Sequence, residues 1–231
     1  MMSLLACVKS APELPEPPPV VEPTPIPEPV AAPKPPEPPE PVFSGTIEPI
    51  PEDMRAAMTG VTWREGCPVG LDELRLLRLS HWDFDGNATT GELIVAGEHA
   101  EALVGVFAAL FEAQFAIRRM KPTYHYGGSD DASMADDNTS AFNCRAVTGG
   151  GGFSQHSYGH AIDINTIENP YVRGKKVLPP AGAAFLDRGD VRPGMIAVDG
   201  PVVVAFVAVG WKWGGNWSSL KDYQHFSVNG R

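Results

Sequence analysis

A proline-rich stretch near the N-terminus places the strongest constraint on how this chain can fold. Fifteen of its 24 prolines lie between Pro12 and Pro41, interleaved with glutamates. Because proline lacks a backbone N–H donor and the stretch has no apolar periodicity, it cannot build a packed core. We expect residues 11–42 to form a polyproline-II-like spacer of about 90 Å, at roughly 3.1 Å per residue; a docking segment for a proline-binding module is the alternative. A folded domain is therefore expected over residues 43–231.

Residues 1–10 are similar to the end of a lipoprotein export signal. Leu4-Leu5-Ala6 stand directly before Cys7, the position at which such a signal accepts its lipid. A complete signal carries a basic region and a longer apolar stretch. Neither precedes Cys7, so either the true start lies upstream or the match is accidental. Because a spacer follows at once, we expect an exported chain that is anchored in a membrane through a lipid on Cys7.

The remaining composition narrows the possible partners. Lysine and arginine number 18 against 28 acidic residues, for a formal charge of −10, which disfavours nucleic acid as a partner because such binders present a basic face. No apolar run approaches the roughly 20 residues that span a bilayer.

Cys67 and Cys144 form an even pair, and in an exported protein we expect them to be oxidised to a disulfide. Two buried free cysteines are the alternative.

The hydrophobic pattern predicts a mixture of helices and strands. Apolar residues recur at three- and four-residue steps over 97–117, which indicates a helix. A second helix is predicted to begin at Pro201, with a strand as the alternative over Val202–Val204. The polar segment 121–138 predicts a loop. Strands are expected over 91–95, 161–165 and 222–228. This irregular order indicates an α+β fold.

Two segments near the C-terminus carry metal-binding chemistry. The first contains His156 and Asp163, and the second contains Asp222 and His225. Two histidines and one carboxylate can form a catalytic zinc site with a fourth position open for water, and a further carboxylate can serve as general base. Such spacing is not specific by itself.

A helical zinc motif is the competing interpretation of the first segment. His156 and His160 have the i, i+4 spacing of that motif. However, Ser157 stands where the motif has its general base, and Gly159 disfavours a helix. We therefore expect His160 at the rim of the site and not among the ligands.

Five short motifs identify a family. They are TSAFNCR at 139–145, SxHxxGxAxD at 154–163, NPY at 169–171, GWxWGGxW at 210–217 and DxxHF at 222–226. In this order and spacing, residues 60–228 resemble the D-alanyl-D-alanine carboxypeptidase family of zinc peptidases. That family includes vancomycin-resistance-type D,D-carboxypeptidases and phage L-alanyl-D-glutamate endolysins.

The resemblance implies a role for several residues. It implies His156, Asp163 and His225 as zinc ligands and Asp222 as the catalytic base. It also implies that Arg145 stabilises the developing oxyanion or holds the substrate, since a fixed cation offsets negative charge; a structural ion pair is the alternative.

Three further residues are expected to contact substrate, namely Ser154, Tyr171 and Trp213. Ser154 has a second possible role as the cap of a turn. The tryptophans of the 210–217 motif, Trp213 among them, either line a substrate groove or close the core.

One spacing conflicts with the predicted final strand. Residues three apart face opposite sides of an ideal strand, so Asp222 and His225 should not converge there. Asp222 must therefore lie in the turn that leads into the strand, or the strand must be strongly twisted.

The resemblance also implies a fold and an activity. The fold is a single small α+β domain with a central, mainly antiparallel sheet and flanking helices, which the hedgehog signalling domain shares. The expected activity is zinc-dependent hydrolysis of an amide in the peptidoglycan stem peptide, by a monomer in the cell envelope. Carboxypeptidase and endopeptidase remain open, and a catalytically inactive wall- or metal-binding module on the same fold is the alternative.

Overall fold

The computed structural model describes residues 40–147 and 150–231. The predicted export-signal residues with Cys7, and the predicted spacer up to residue 39, lie outside the described residues. Residues 40–231 form a compact unit. Among the described helices, none is both long and apolar enough to cross a bilayer.

The longest strands form an antiparallel sheet with both faces covered. Its order is β1-β2-β3, with β1 at Gly45–Pro49, β2 at Leu74–Trp82 and β3 at Ala88–Ala96. Because side chains alternate along a strand, Leu77 and Leu79 face one core cluster while Leu74 and Leu76 face another. All four leucines are fully buried.

Two helices cover these faces. Helix α1 (Glu52–Met58) contributes Met54 and Met58 to the cluster around Leu74, and helix α2 (Ala100–Glu112) contributes Leu103 and Phe107 to the cluster around Leu77. The apolar stripe of α2 explains its position, because it removes one whole helix face from water.

The predicted helices and the predicted loop differ from the structure in their extent. A short turn at Gly97–His99 precedes α2, which ends five residues earlier than predicted, before Gln114 takes a φ of 51°. Helix α4 forms at Pro201–Ala208, so the strand alternative there is excluded. The loop prediction over 121–138 is wrong at α3 (Asp130–Ala135), where the Ser129 hydroxyl accepts a hydrogen bond from the amide of Ala132.

The remaining strands are only two or three residues long. One sheet has the order β4-β9-β7, formed by Ala161–Asp163, His225–Ser227 and Lys212–Trp213. The other has the order β6-β5-β8, formed by Lys176–Leu178, Tyr171–Arg173 and Lys221–Asp222. The α+β prediction with antiparallel pairing is confirmed, and the strands divide among three small sheets.

The last predicted strand is in fact two strands in different sheets. Asp222 ends β8 and pairs with Tyr171 in β5, whereas His225 begins β9 and pairs with Asp163 in β4. The prediction of one strand over 222–228 is therefore wrong. The break at Tyr223 and Gln224 frees Asp222 from the alternation that would otherwise turn it away from His225.

A disulfide joins Cys67 to Cys144, as expected. Cys144 is buried, and its amide donates to the carbonyl of Thr62. The bond therefore fixes the segment that carries Arg145 to the region after α1.

Candidate metal centre

Two histidines and an aspartate converge at the end of the β4-β9-β7 sheet. His156 lies in the helical turn Gln155–Tyr158, Asp163 ends β4, and His225 begins β9. His156 Nε2 lies 3.3 Å from Asp163 Oδ2, and His225 Nδ1 lies 2.9 Å from Asp163 Oδ1. One candidate ligand atom from each residue lies within 4.8 Å of the others. These three residues, the catalytic cluster below, are the candidate ligands predicted from the sequence.

Backbone contacts hold His156 in a single orientation. Its Nδ1 donates to the carbonyl of Ala141 at 2.6 Å, which leaves Nε2 facing Asp163. A second hydrogen bond of this kind is the usual way in which a protein orients a metal-binding histidine. The Ser154 hydroxyl accepts from the amide of His156 at the start of the turn. Gly159 closes the turn with a φ of 71°, where a Cβ would lie 2.4 Å from the amide nitrogen of Ala96.

The cluster is electrostatically prepared for a cation. Burial alone would raise the pKa of Asp163, but the facing His156 and His225 outweigh it and hold that pKa well below its usual value. Burial opposes protonation of His225, yet its hydrogen bond to Asp163 and the charge of that carboxylate raise its pKa. Among the described atoms, His225 Nε2 is buried without a hydrogen-bond partner. The donor set of two imidazoles and one carboxylate fits zinc.

Asp222 supplies a further carboxylate beside this cluster. Its Oδ1 is buried and has no hydrogen-bond partner among the described residues. Burial raises the pKa of Asp222 to about 6; the charge of Asp163 acts in the same direction and His225 opposes it. The β8 backbone lies close to the preceding turn Gly214–Asn216, since a Cβ on Gly214 would lie 2.6 Å from the Asp222 carbonyl oxygen.

A cavity of about 660 Å³ opens onto the catalytic cluster and Asp222. Its wall carries charges of both signs: the cations Arg145, Lys176 and Arg231, and the carboxylates of Asp130 and Asp131. Because Asp130 is paired with Arg145, Lys176 and Arg231 are the wall cations that can pair with a carboxylate of a bound ligand.

Arg145 lies at the wall and is also paired. Its Nε forms an ion pair with Asp130, and its Nη1 donates to the carbonyl of Ala146 at 3.2 Å. The two interpretations of Arg145 made from the sequence, a cation near the substrate and a structural ion pair, are therefore compatible in this structure. The pair with Asp130 holds a cation at the cavity, and about a third of each side chain remains exposed.

The predicted substrate-contacting residues divide. Ser154 and Tyr171 line the cavity, and Ser154 also caps the turn of His156. Trp213 does not belong to this wall in the described structure, because β7 turns it into the core, where it is 3% exposed and its Nε1 donates to the Tyr223 carbonyl.

Trp217 takes the place expected for Trp213. It lines the cavity with its ring centroid 5.6 Å from that of His225, and its indole N–H is buried without a partner in the described part of the chain. The three-residue turn Gly214–Asn216 separates the two tryptophans, and this turn, not the sequence motif, decides which of them faces the site.

The fold and the cavity together have the parts of a hydrolase: converging metal-binding groups, a free carboxylate and a nearby cation. Residues 148–228 match the model of a protein family described as D-alanyl-D-alanine carboxypeptidase. This match supports the resemblance that the motifs carry, and the matched segment contains the whole catalytic cluster and Asp222. No solved structure matches the chain significantly.

Proposed function

We propose that this protein is a zinc-dependent peptidase that hydrolyses an amide bond in the peptidoglycan stem peptide. The observation that carries the proposal is the convergence of His156, Asp163 and His225 beside the free carboxylate of Asp222 on one cavity. The family match supports a peptidase acting on this class of substrate.

Zinc is the metal proposed for the catalytic cluster. His156, Asp163 and His225 would hold it, leaving a position for water or substrate. When bound, the ion would polarise the scissile carbonyl and make water nucleophilic near neutral pH. The hydrogen bond from His156 to Ala141 keeps one ligand oriented before the metal arrives.

Asp222 is proposed as the general base. Its carboxylate accepts a proton from the attacking water and returns that proton to the leaving amine. A pKa of about 6 places the group near the range that such an exchange needs. A bound dication would favour the ionised form and lower this pKa, so Asp222 would be deprotonated at neutral pH.

Arg145 is proposed to stabilise the negative charge that develops on the carbonyl oxygen. A cation held before the reaction begins needs no rearrangement during it. The ion pair with Asp130 and the Cys67–Cys144 disulfide next to it supply that fixed position.

We also propose that the protein acts as a monomer outside the cytoplasm, at the cell wall. The disulfide supports an oxidising compartment, and Lys176 and Arg231 of the cavity wall can pair with the free carboxylates of a stem peptide. Anchoring through a lipid on Cys7 would keep an acidic protein near an anionic wall, where electrostatic attraction does not help.

Digestion of purified peptidoglycan tests the activity. Zinc-loaded full-length protein should release either terminal D-alanine or fragments cleaved within the stem peptide, as identified by mass spectrometry. The His125→Ala variant is the matched control, since His125 is exposed and lies outside the catalytic cluster. Intact stem peptides after prolonged incubation with zinc-loaded protein would instead indicate an inactive wall-binding or metal-binding module.

A further inference from the structure

A second group of histidines and a carboxylate lies outside the cavity. Glu98 and His99 occupy the turn Gly97–His99 before α2, and His160 follows the turn that carries His156. One ligand atom from each of the three residues lies within 4.8 Å of the others. These residues are called the rim cluster below.

The distances in the rim cluster suit a shared ion. Glu98 Oε1 lies 3.0 Å from His160 Nε2 and 3.6 Å from His99 Nε2. Two ligand atoms of a tetrahedral zinc ion, each at about 2.0–2.1 Å from the metal, are roughly 3.4 Å apart. Glu98 Oε1 is therefore already close to this spacing from both imidazoles, and its exposed side chain can adjust to an ion.

His99 gives the second indication. Within the described residues, its Nε2 is buried and makes no hydrogen bond. A buried imidazole nitrogen without a partner carries a desolvation cost that a ligand would remove. The ring is held edge-on against Trp211 and His160, at centroid distances of 5.6 and 4.9 Å, so it is already ordered.

The backbone around the rim cluster is fixed on both sides. The amide of Ala96 donates to the Gly159 carbonyl at 3.1 Å, and the amide of Val228 donates to the His160 carbonyl at the same distance. Because this backbone is already fixed, metal binding loses little conformational entropy in ordering the ligands. The imidazoles are about a quarter exposed and Glu98 is two-thirds exposed, so an ion can reach them from solution.

We propose that Glu98, His99 and His160 bind a second divalent transition metal, such as zinc. Two imidazoles and one carboxylate match the ligand preference of this class of metals. The ion would tie the start of α2 to the turn that orients His156. This inference goes beyond the proposed function and does not depend on it.

Counting zinc on full-length protein tests the proposal. The experiment uses chains carrying Cys7→Ser, because a free thiol would itself bind zinc, and metal-free protein is dialysed against micromolar zinc. The parent should hold two equivalents, His160→Gln one, and the control His125→Ala two. The variant Glu98→Gln should bind the second equivalent at least about 10-fold more weakly, since it loses the charged ligand.

A variant without the catalytic cluster isolates the second site. His156→Ala should still hold one equivalent, and zinc should raise its Tm by several degrees because the ion binds the folded state alone. In His156→Ala/His160→Gln both effects should disappear. Two equivalents in His160→Gln, or one equivalent in the parent that His160→Gln does not remove, would overturn the proposal. A parent with one equivalent that is lost in His160→Gln and kept in His156→Ala would support the rim cluster and contradict the catalytic one.

Discussion

The catalytic cluster and the rim cluster offer the same chemical donors in different surroundings. Each consists of two imidazoles and one carboxylate. The catalytic cluster lies at a cavity with both imidazoles buried, and Asp222 and Arg145 line the same cavity. The rim cluster lies partly in solvent, and none of its three residues lines that cavity. The donors therefore define a metal site, and the neighbours decide whether chemistry can follow.

The two clusters also differ in what holds them. The catalytic ligands come from a turn and two strands, with Asp163 and His225 in direct register. In the rim cluster, two of the three donors are adjacent in the chain, and His160 alone crosses over from the turn of His156. Rigid placement on several elements is what a reaction site requires.

The largest expected difference between the clusters is in peptidase activity after one imidazole is removed from each. His225→Ala should lose the zinc of the catalytic cluster and with it all measurable peptidase activity. The loss in kcat/KM should exceed that of His160→Gln by at least about 10²-fold, since general acid–base catalysis alone contributes that much. The check is turnover of peptidoglycan fragments and zinc content for both variants. Equal losses in the two variants would remove the distinction between the clusters.

Substitution of Arg145 tests how much a charged neighbour of the catalytic cluster contributes to kcat. Arg145→Ala should reduce kcat by about 10²-fold with zinc content unchanged, because the developing oxyanion loses a fixed cation. Arg145→Lys should recover part of kcat by keeping the charge. Asp130→Asn is the matched control, since it keeps Arg145 but removes its ion-pair partner and should have a smaller effect. Steady-state kinetics would count against this role if KM alone changed.

The smallest expected effect is on stability and concerns Glu168, a buried carboxylate outside both clusters. Asp163 faces two histidines and its pKa is lowered, whereas Glu168 is 4% exposed and its pKa is raised to about 8 by burial and by the neighbouring Asp137. Because the folded state keeps a proton that the unfolded state releases, stability should fall as the pH rises from about 4.5 to 8. Glu168→Gln removes this dependence.

The expected result is therefore a Tm advantage of a few degrees for Glu168→Gln at pH 8, which shrinks towards zero below pH 4.5. Thermal unfolding of both proteins across this range gives the answer. An advantage that is the same at pH 4 and pH 8 would show that ionisation of Glu168 is not its cause.

The features that the sequence predicted are long helices or strands with a clear hydrophobic pattern, and site residues that belong to a recognisable motif. The apolar stripe of α2 and the segment 91–95 in β3 predicted both elements, and the motif spacing identified the residues that the structure brings together at the catalytic cluster. The strands β7, β8 and β9 have only two or three residues, which is too short for a period of two to appear. For this reason the break between Asp222 and His225, and the inward turn of Trp213, had no signal in the sequence.

The rim cluster was equally hidden from sequence reasoning. Glu98 and His99 lie about sixty residues before His160, with no recognisable ligand spacing between them. His160 was expected at the rim of the catalytic site. Its contact with Glu98 depends on the close approach of Gly159 to Ala96, which is a property of the tertiary structure.

Turnover and zinc content measured on one sample of Asp222→Asn test the central claim most directly. Asparagine keeps the size of the side chain but cannot accept the proton, so turnover should fall by about 10²–10⁴-fold. The zinc of the catalytic cluster should remain at the parent level. Parent-like turnover would remove Asp222 from the mechanism, and loss of the zinc itself would show that Asp222 is a metal ligand and not the base.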